Sequence, residues 1–333
     1  MMNGTVVTLN GNCGNNLSMN RVLVTGSSGY LGGRICNFLE EKGFKITKVS
    51  FLKKKKKNND NINYISSVYD ESLIELCKKN DHIIHLAGPD FLDCKKNKKK
   101  SYKDRVELSH HLYVTAIKAR INSFIYFSTL HVYDGNFDKL INEKTKPIPL
   151  DNYSKFHVDV ENRIIQNKNS NKINFYILRL SNAIGFPISK ETKSWHLVGN
   201  DFVKQAILNK KIKIKSSPFI SRDFIPIISI CIFVIYLLKS RIKSKIININ
   251  SETNISLLDL ANLIIEKVNK KINRKIMLVV NKNEKDINTD NKRIIKSNKY
   301  FMKKLRYKKE LNFEINNLVD LAYKWFRNYE NLS

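Results

Sequence analysis

"RVLVTGSSGYLGGRICNFLEEKGF", residues 21–44, decides the fold. Arg21–Thr25 is a short β-branched, apolar run that stops at Gly26, the pattern of a strand buried on both faces. A helical pattern follows, with Leu31, Ile35, Phe38 and Leu39 on one side and Gly43 to end it. Between them lies "TGSSGYLG", residues 25–32. In a strand–turn–helix context Gly26 permits the tight turn, Gly29 lets backbone approach a pyrophosphate, and Gly32 lets helix and strand pack closely. A helix starting near Tyr30 turns free N–H groups and its positive dipole end toward the phosphates. Ser28, Tyr30 and Leu31 complete the stretch predicted to line a dinucleotide. An NAD site usually has an acid at the end of the second strand, for the ribose 2′-hydroxyl. That place is near Ser50, and no Asp or Glu lies between Glu41 and Asp60. Lys53 and its neighbours could meet a 2′-phosphate instead. NAD and NADP both stay open, with the balance tipped toward NADP.

Outward from this stretch, strands and helices alternate. "KITKVSF", "DHIIHLAG", "SFIYFST" and "NFYILRLSN" read as strands. "SLIELCKKN", "VELSHHLYVTAIKARI" and the segment from Tyr153 read as helices. Such alternation predicts an α/β, Rossmann-type, doubly wound parallel sheet. Beyond residue 186 the rhythm breaks. "SLLDLANLIIEKVNKK" is amphipathic, with Leu257, Leu260, Ile264 and Val268 on one face. The expected division is a flexible tail at 1–18, an NAD(P)-binding domain at 19–185 and a smaller α/β substrate lobe at 186–333. Residues 222–250 are expected to return to the sheet.

The formal charge of +29 comes mainly from lysine, with runs at 53–57 and 95–100. Such charge can mark a nucleic-acid surface. The interleaved aromatics of nucleic-acid grooves are missing, and Asn and Ile are inflated alongside Lys, which favours a coding bias over an RNA site. The five cysteines are scattered, with no CxxC pair, so neither a disulfide framework nor a zinc site is suggested and no metal is expected. "FIPIISICIFVIYLL", residues 224–238, is too short for a membrane span and carries Pro226, so it is read as a buried strand-to-helix passage. A cytoplasmic location is expected.

At this point the residues resemble a family, the extended short-chain dehydrogenase/reductases of the NAD(P)-dependent epimerase/dehydratase type, which act on nucleotide sugars. The resemblance runs from about Arg21 to the C-terminal helix. Beside "TGSSGYLG" it rests on "HLAG" at 85–88, which places Leu86, Ala87 and Gly88 beside the cofactor. It rests also on "FSTLHVYDG" at 127–135, similar to the segment supplying a catalytic Ser or Thr, here Thr129 after Ser128. "YSKFHVDVE" at 153–161 is similar to the family's Tyr-x-x-x-Lys helix. "LRLSNAIGFP" and "SRDFIPI" are like the segments in which Asn182 and Arg222 hold the sugar nucleotide, with His131 as a further candidate. The resemblance implies hydride transfer at a ring carbon of a nucleotide sugar, by an epimerase or a reductase. Tyr153 would move the proton, Thr129 would position the oxygen, and Ser128, Tyr153 and His157 would border the cofactor. A homodimer is expected.

The departures are as informative. His157 stands four residues after Tyr153, on the same helix face, where the family has lysine. The other register, using Lys155, points that cation away from Tyr153. A tyrosine loses its proton near pH 10, and a neighbouring cation lowers that value. An ordinary histidine carries charge in only about a quarter of molecules at pH 7; Glu161, a turn further on, is expected to raise that fraction. Arg105 stands where the family often has Asn near the cofactor, and Ser66 or Ser67 where an Asp often reads the adenine. The pair after Thr129 is Leu130 and His131 rather than the acidic pair of the 4,6-dehydratases, which argues against dehydration. The alternative is a non-catalytic NAD(P)-binding or RNA-binding protein on the same fold.

Overall fold

The computed structural model describes residues 20–51, 62–65, 70–136, 140–240, 242–243, 245–280, 294–303 and 305–326. The tail at 1–18, the lysine run at 53–57 and Ser66 and Ser67 lie outside the described residues.

The first half alternates as the hydrophobic periodicity requires. Helices lie between strands β1 (Arg21–Thr25) and β2 (Lys45–Ser50), between β3 (Ile62–Tyr64) and β4 (His82–His85), and between β4 and β5 (Ser123–Thr129). These are α1 (Tyr30–Glu41), α2 (Glu71–Lys78), the short α3 (Phe91–Lys96) and α4 (Lys98–Tyr102), and α5 (Leu108–Lys118). A single π-helical turn, Lys103–Glu107, leads into α5. After the two-residue strand β6 (Leu140–Ile141) come α6 (Asn152–Ile165), β7 (Asn174–Leu180) and β8 (Asn182–Ile184). The second half holds α7 (Val198–Asn209), β9 (Lys211–Ile214), β10 (Ser221–Pro226), α8 (Ile227–Lys239), β11 (Lys245–Ile249), β12 (Asn254–Ser256) and α9 (Leu257–Ile272). It closes with β13 (Met277–Val280), β14 (Ile294–Ile295), α10 (Lys299–Met302) and α11 (Tyr307–Phe326).

Seven strands form one parallel sheet in the order β3-β2-β1-β4-β5-β7-β11. The fold is Rossmann-type. The order reverses between β1 and β4, and a doubly wound sheet opens its ligand crevice at the carboxyl ends there. Alternate residues of β1 go to opposite faces, which is why the whole run is apolar. Val22 and Val24 pack with Ile35 and Leu39 of α1 and with Phe233 and Val234 of α8. Leu23 packs on the other side with Leu73 of α2, Leu112 of α5 and Val160 of α6. Each fully buried side chain of this kind contributes roughly 1.5–3 kcal/mol.

The apolar segment at 224–238 becomes the end of β10 and then α8, which is packed into the core. No helix among the described residues is long and apolar enough to cross a membrane. From α8 the chain returns to the sheet, and β11 pairs in parallel with β7 from Lys245 to Ile249. The remaining elements build a second core, in which Leu257, Leu260, Ile264 and Val268 of α9 meet Val203 of α7 and Leu318 of α11. Ser256 starts α9 by accepting from Asp259 N, and left-handed Asn273 (φ +51°) ends it.

A buried ion pair joins the two halves. Arg34 on α1 meets Glu314 on α11 through two N–H···O bonds of 2.8 and 2.9 Å, and its guanidinium carbon lies 3.4 Å above the Phe186 ring. Glu314 also accepts from Ile228 N at 2.8 Å and Phe186 N at 3.3 Å, so its buried oxygens are well supplied with donors.

Candidate active site

The turn after β1 admits only glycine at two places. Gly26 has φ +71°, and a Cβ there would sit 2.8 Å from Ala87 N. A Cβ on Gly32 would sit 2.1 Å from Gly26 O. Gly29 N–H donates to Gly26 O at 2.9 Å, closing the turn, and α1 begins with no side-chain cap and no acid in its first turn. The first-turn N–H groups therefore remain for an anion. Ser27 Oγ is buried without a partner, while Ser28 and Gly29 face solvent. A diphosphate fits this cradle: backbone donors, a spare hydroxyl and room where side chains are missing. Tyr30 and Leu31 offer it only backbone. The Tyr30 phenol donates to Gly185 O at 2.6 Å, and Leu31 packs on the core.

The loop after β4 is pinned against the same turn. Leu86 N–H donates to Thr25 O, and Ala87 N–H lies 3.4 Å from Thr25 Oγ1. That hydroxyl is 2.6 Å from His85 Nδ1, and His85 Nε2 is 2.8 Å from Ser109 Oγ. Burial pushes the His85 imidazole down to about 3, so His85 is a neutral brace between β1, β4 and α5. Gly88 continues the loop toward Arg105: a Cβ on Gly88 would sit 2.9 Å from the Arg105 guanidinium carbon.

Helix α6 carries the proton-transfer candidates. A reciprocal cap starts it: Asp151 accepts from Ser154 N at 2.8 Å, and Ser154 Oγ accepts from Asp151 N at 3.3 Å. That cap fixes Tyr153 in the first turn. The rings of Tyr153 and His157 meet edge to face, centroids 4.7 Å apart. His157 is 2% exposed; its Nδ1 is 2.7 Å from the Tyr126 hydroxyl, and its Nε2 has no partner among the described residues. Burial, and then the positive charge of Arg105, hold His157 well below the usual imidazole range. It is neutral at pH 7 and so lends Tyr153 not even the small share of charge an ordinary histidine would.

The expected help from Glu161 also fails, for a geometric reason. Its carboxylate is taken by Arg179 of β7, at 2.5 Å from Nη2 and 3.1 Å from Nε, and by Ser128 Oγ at 2.5 Å. β7 pairs with β5 so that Arg179 lies opposite Ser128, and both reach the same buried acid. Ser128, read as a cofactor neighbour, thus has its hydroxyl engaged inside the protein.

The charge beside Tyr153 comes from elsewhere. Arg105, in the π-helical turn before α5, is 5% exposed, with its guanidinium carbon 5.2 Å from the Tyr153 ring centroid. It donates to Pro89 O, and its Nε has no partner among the described residues. Sequence reading noted Arg105 as a departure near the cofactor but not as a neighbour of Tyr153; a positive side chain at a position usually neutral was the available signal.

Thr129 ends β5, is 4% exposed, and accepts from His131 N at 3.2 Å. The His131 imidazole is half-exposed and sits 2.9 Å from Asp134, which raises its proton affinity; the charge of Arg222 on β10 opposes this. Arg222 is exposed, and the Asp223 carboxylate is held by Ser251. Asn182 is half-buried and gives its amide N–H to Asp223 O at 2.9 Å, tying β8 to β10. No metal-binding group of His, Cys, Asp or Glu occurs among the described residues.

The fold and the glycine turn together define an α/β protein of the dinucleotide-binding type. Residues 22–250 match the NAD dependent epimerase/dehydratase family, and the chain belongs to it. A dTDP-D-glucose 4,6-dehydratase of Dictyostelium discoideum is 27% identical over 277 residues, covering 75% of this chain; the chain spans about 62% of that relative's length. Among solved structures, a UDP-N-acetylglucosamine 4-epimerase from Methanobrevibacter ruminantium in complex with UDP-N-acetylmuramic acid superposes with TM-score 0.73 at 19% identity, over 93% of this chain and 99% of that one. The Thermotoga maritima UDP-glucose 4-epimerase with UDP-glucose gives 0.72 at 18%, over 92% and 99%. The Bacillus cereus UDP-glucuronic acid 4-epimerase, solved with UDP-glucuronic acid and NAD, gives 0.68 at 20%, over 90% and 99%. At these identities the superpositions speak for the fold.

Proposed function

We propose that this chain is an NAD-dependent epimerase acting on a nucleotide-activated sugar, with Tyr153 exchanging the proton of a ring hydroxyl. One observation carries the reading: an unbroken line of contact from the phosphate cradle to the phenol. Gly26 abuts Ala87, the next residue Gly88 abuts Arg105, and Arg105 lies beside the Tyr153 ring. A dinucleotide with its diphosphate at Gly26 therefore has its other end in reach of Tyr153.

The backbone of residues 26–32 and of Leu86, Ala87 and Gly88 would hold the cofactor, with Ser27 Oγ and the unpartnered His157 Nε2 as further polar contacts. NAD, bound there, supplies acceptance and return of hydride. NAD is preferred over NADP because the family is NAD dependent and the Bacillus cereus structure was solved with NAD. Tyr153 takes the hydroxyl proton as the sugar is oxidised and returns one as it is reduced. Thr129 hydrogen-bonds the same oxygen, and His131, Asn182 and Arg222 hold the nucleotide sugar. Retention of NAD through the cycle would mark epimerisation rather than net reduction. Buried Leu130 and half-exposed His131 follow Thr129 where dehydration would call for an acidic pair.

Mass spectrometry of ligands carried through gentle purification, followed by incubation with UDP- and dTDP-hexoses, tests this. The expected result is bound NAD and a ring epimer formed without accumulating reduced nicotinamide. A 4-keto, 6-deoxy product would make the chain a dehydratase. Absence of both NAD and turnover would leave only the non-catalytic alternative.

A further inference from the structure

We propose that Arg105 is a positioning residue for proton transfer: its guanidinium, carried on the turn before α5, supplies the positive charge beside Tyr153 that residue 157 does not. The proposal rests on the reading of Tyr153 as proton donor and acceptor.

The geometry is specific. Arg105 is buried, yet no carboxylate meets it among the described residues; its contacts include the Pro89 carbonyl, the Tyr126 hydroxyl, the Tyr153 ring and the open side of Gly88. A buried guanidinium without an acid is costly, so its field falls on whatever polar groups are near. Those groups are His85, Tyr126, Cys94, His157 and Tyr153. Around Tyr153 itself stand Asp90 and Cys94 from α3 and its cap, Asp151 from the cap of α6, and Tyr126 from β5. The two aspartates oppose a phenolate at Tyr153, and the neutral thiol and phenol bring no positive charge to offset them. Burial pushes the phenol up as well, and Arg105 is the largest influence in the other direction. His157 stays neutral, so it adds ring contact but no charge.

The two departures noted in the sequence are then one change. A lysine at 157 would place a second cation beside the same Tyr153 ring as Arg105. With histidine there, one cation remains, moved from α6 to a neighbouring turn. π-Helical turns recur at functional sites, and this one carries Arg105 to the phenol.

The test titrates Tyr153 directly, in apoprotein, by NMR of tyrosine labelled with carbon-13 at the ring carbon bearing oxygen, the signal assigned by its loss in Tyr153→Phe. In Arg105→Met the midpoint should rise by about one pH unit or more, and in Arg105→Lys it should stay close to wild type. His157→Lys, added to Arg105→Met, should bring it back down. Where Arg105→Met fails to fold, Gly88→Ala serves: its new methyl displaces the guanidinium and should move the midpoint the same way. With substrate, the pH at which kcat/KM rises should shift in step. A midpoint unmoved by Arg105→Met, or by Gly88→Ala in its place, overturns the proposal. Because the titration needs no turnover, a wild-type protein inactive on every nucleotide sugar would sink the epimerase reading and leave this result standing. An active wild type with an unmoved midpoint would sink this inference alone.

Discussion

Arg34 and Arg179 are buried in the scaffold, and each meets a glutamate, at 2.8 Å for Glu314 and 2.5 Å for Glu161. Arg105 is equally buried, at the crevice, and meets a carbonyl and a phenol ring. The same residue type is thus neutralised where it holds elements together and, among the described residues, left without a carboxylate where chemistry is proposed. A structural charge that is paired stays silent outside its pair; an unpaired one can act on a neighbour.

The sharpest way to break this contrast is to separate activity from stability. Tyr153→Phe should cut turnover by roughly 10²–10⁴-fold, the range for a positioned acid/base, while thermal unfolding stays near wild type. A Phe variant with wild-type turnover would remove the site from the comparison. Arg34→Met should do the reverse at the lobe interface. It strands a buried Glu314 and should lower stability by about 3–5 kcal/mol in denaturant titration.

Acid probes the neutral histidines around Arg105. His85 is held at about 3 when folded, against an ordinary 6.5. Between those values the unfolded chain takes the proton and the folded chain does not. Stability is therefore complete above pH 6.5 and falls as pH drops, by about 1.4 kcal/mol per pH unit. Denaturant curves at pH 6.5 and pH 5 should differ by about 2 kcal/mol from His85 alone, and His85→Gln should flatten that slope. The smallest effect is expected at Arg105 itself. Arg105→Met strands no carboxylate, so its stability should lie within about 1 kcal/mol of wild type; a loss as large as that of Arg34→Met would erase the distinction between the two kinds of arginine.

What the sequence disclosed was local. The turn at 25–32 is legible because each glycine answers a backbone need a few residues away: Gly26 adopts φ +71°, and Gly32 leaves space for Gly26 O. The Tyr153–His157 contact is legible because helical spacing stacks residues four apart. The same rule misled at Glu161, where Arg179 from a paired strand outcompeted the neighbour on its own helix. Tyr30 lies in the phosphate turn by sequence, yet its hydroxyl reaches Gly185. Arg105 meets Tyr153 only because the turn before α5 and the start of α6 converge on one loop, which no periodicity encodes.

The bond between Arg34 and Glu314 has a consequence for modularity. Helix α1, which begins at the diphosphate turn, also carries the arginine that α11 must neutralise. A dinucleotide-binding half cut free of α11 would keep its glycines but expose an orphaned cation one helical turn from them. Tight packing of the last helix and grip on the nucleotide are accordingly inherited together, and the two halves cannot be exchanged piecemeal with those of a relative that lacks the matching acid.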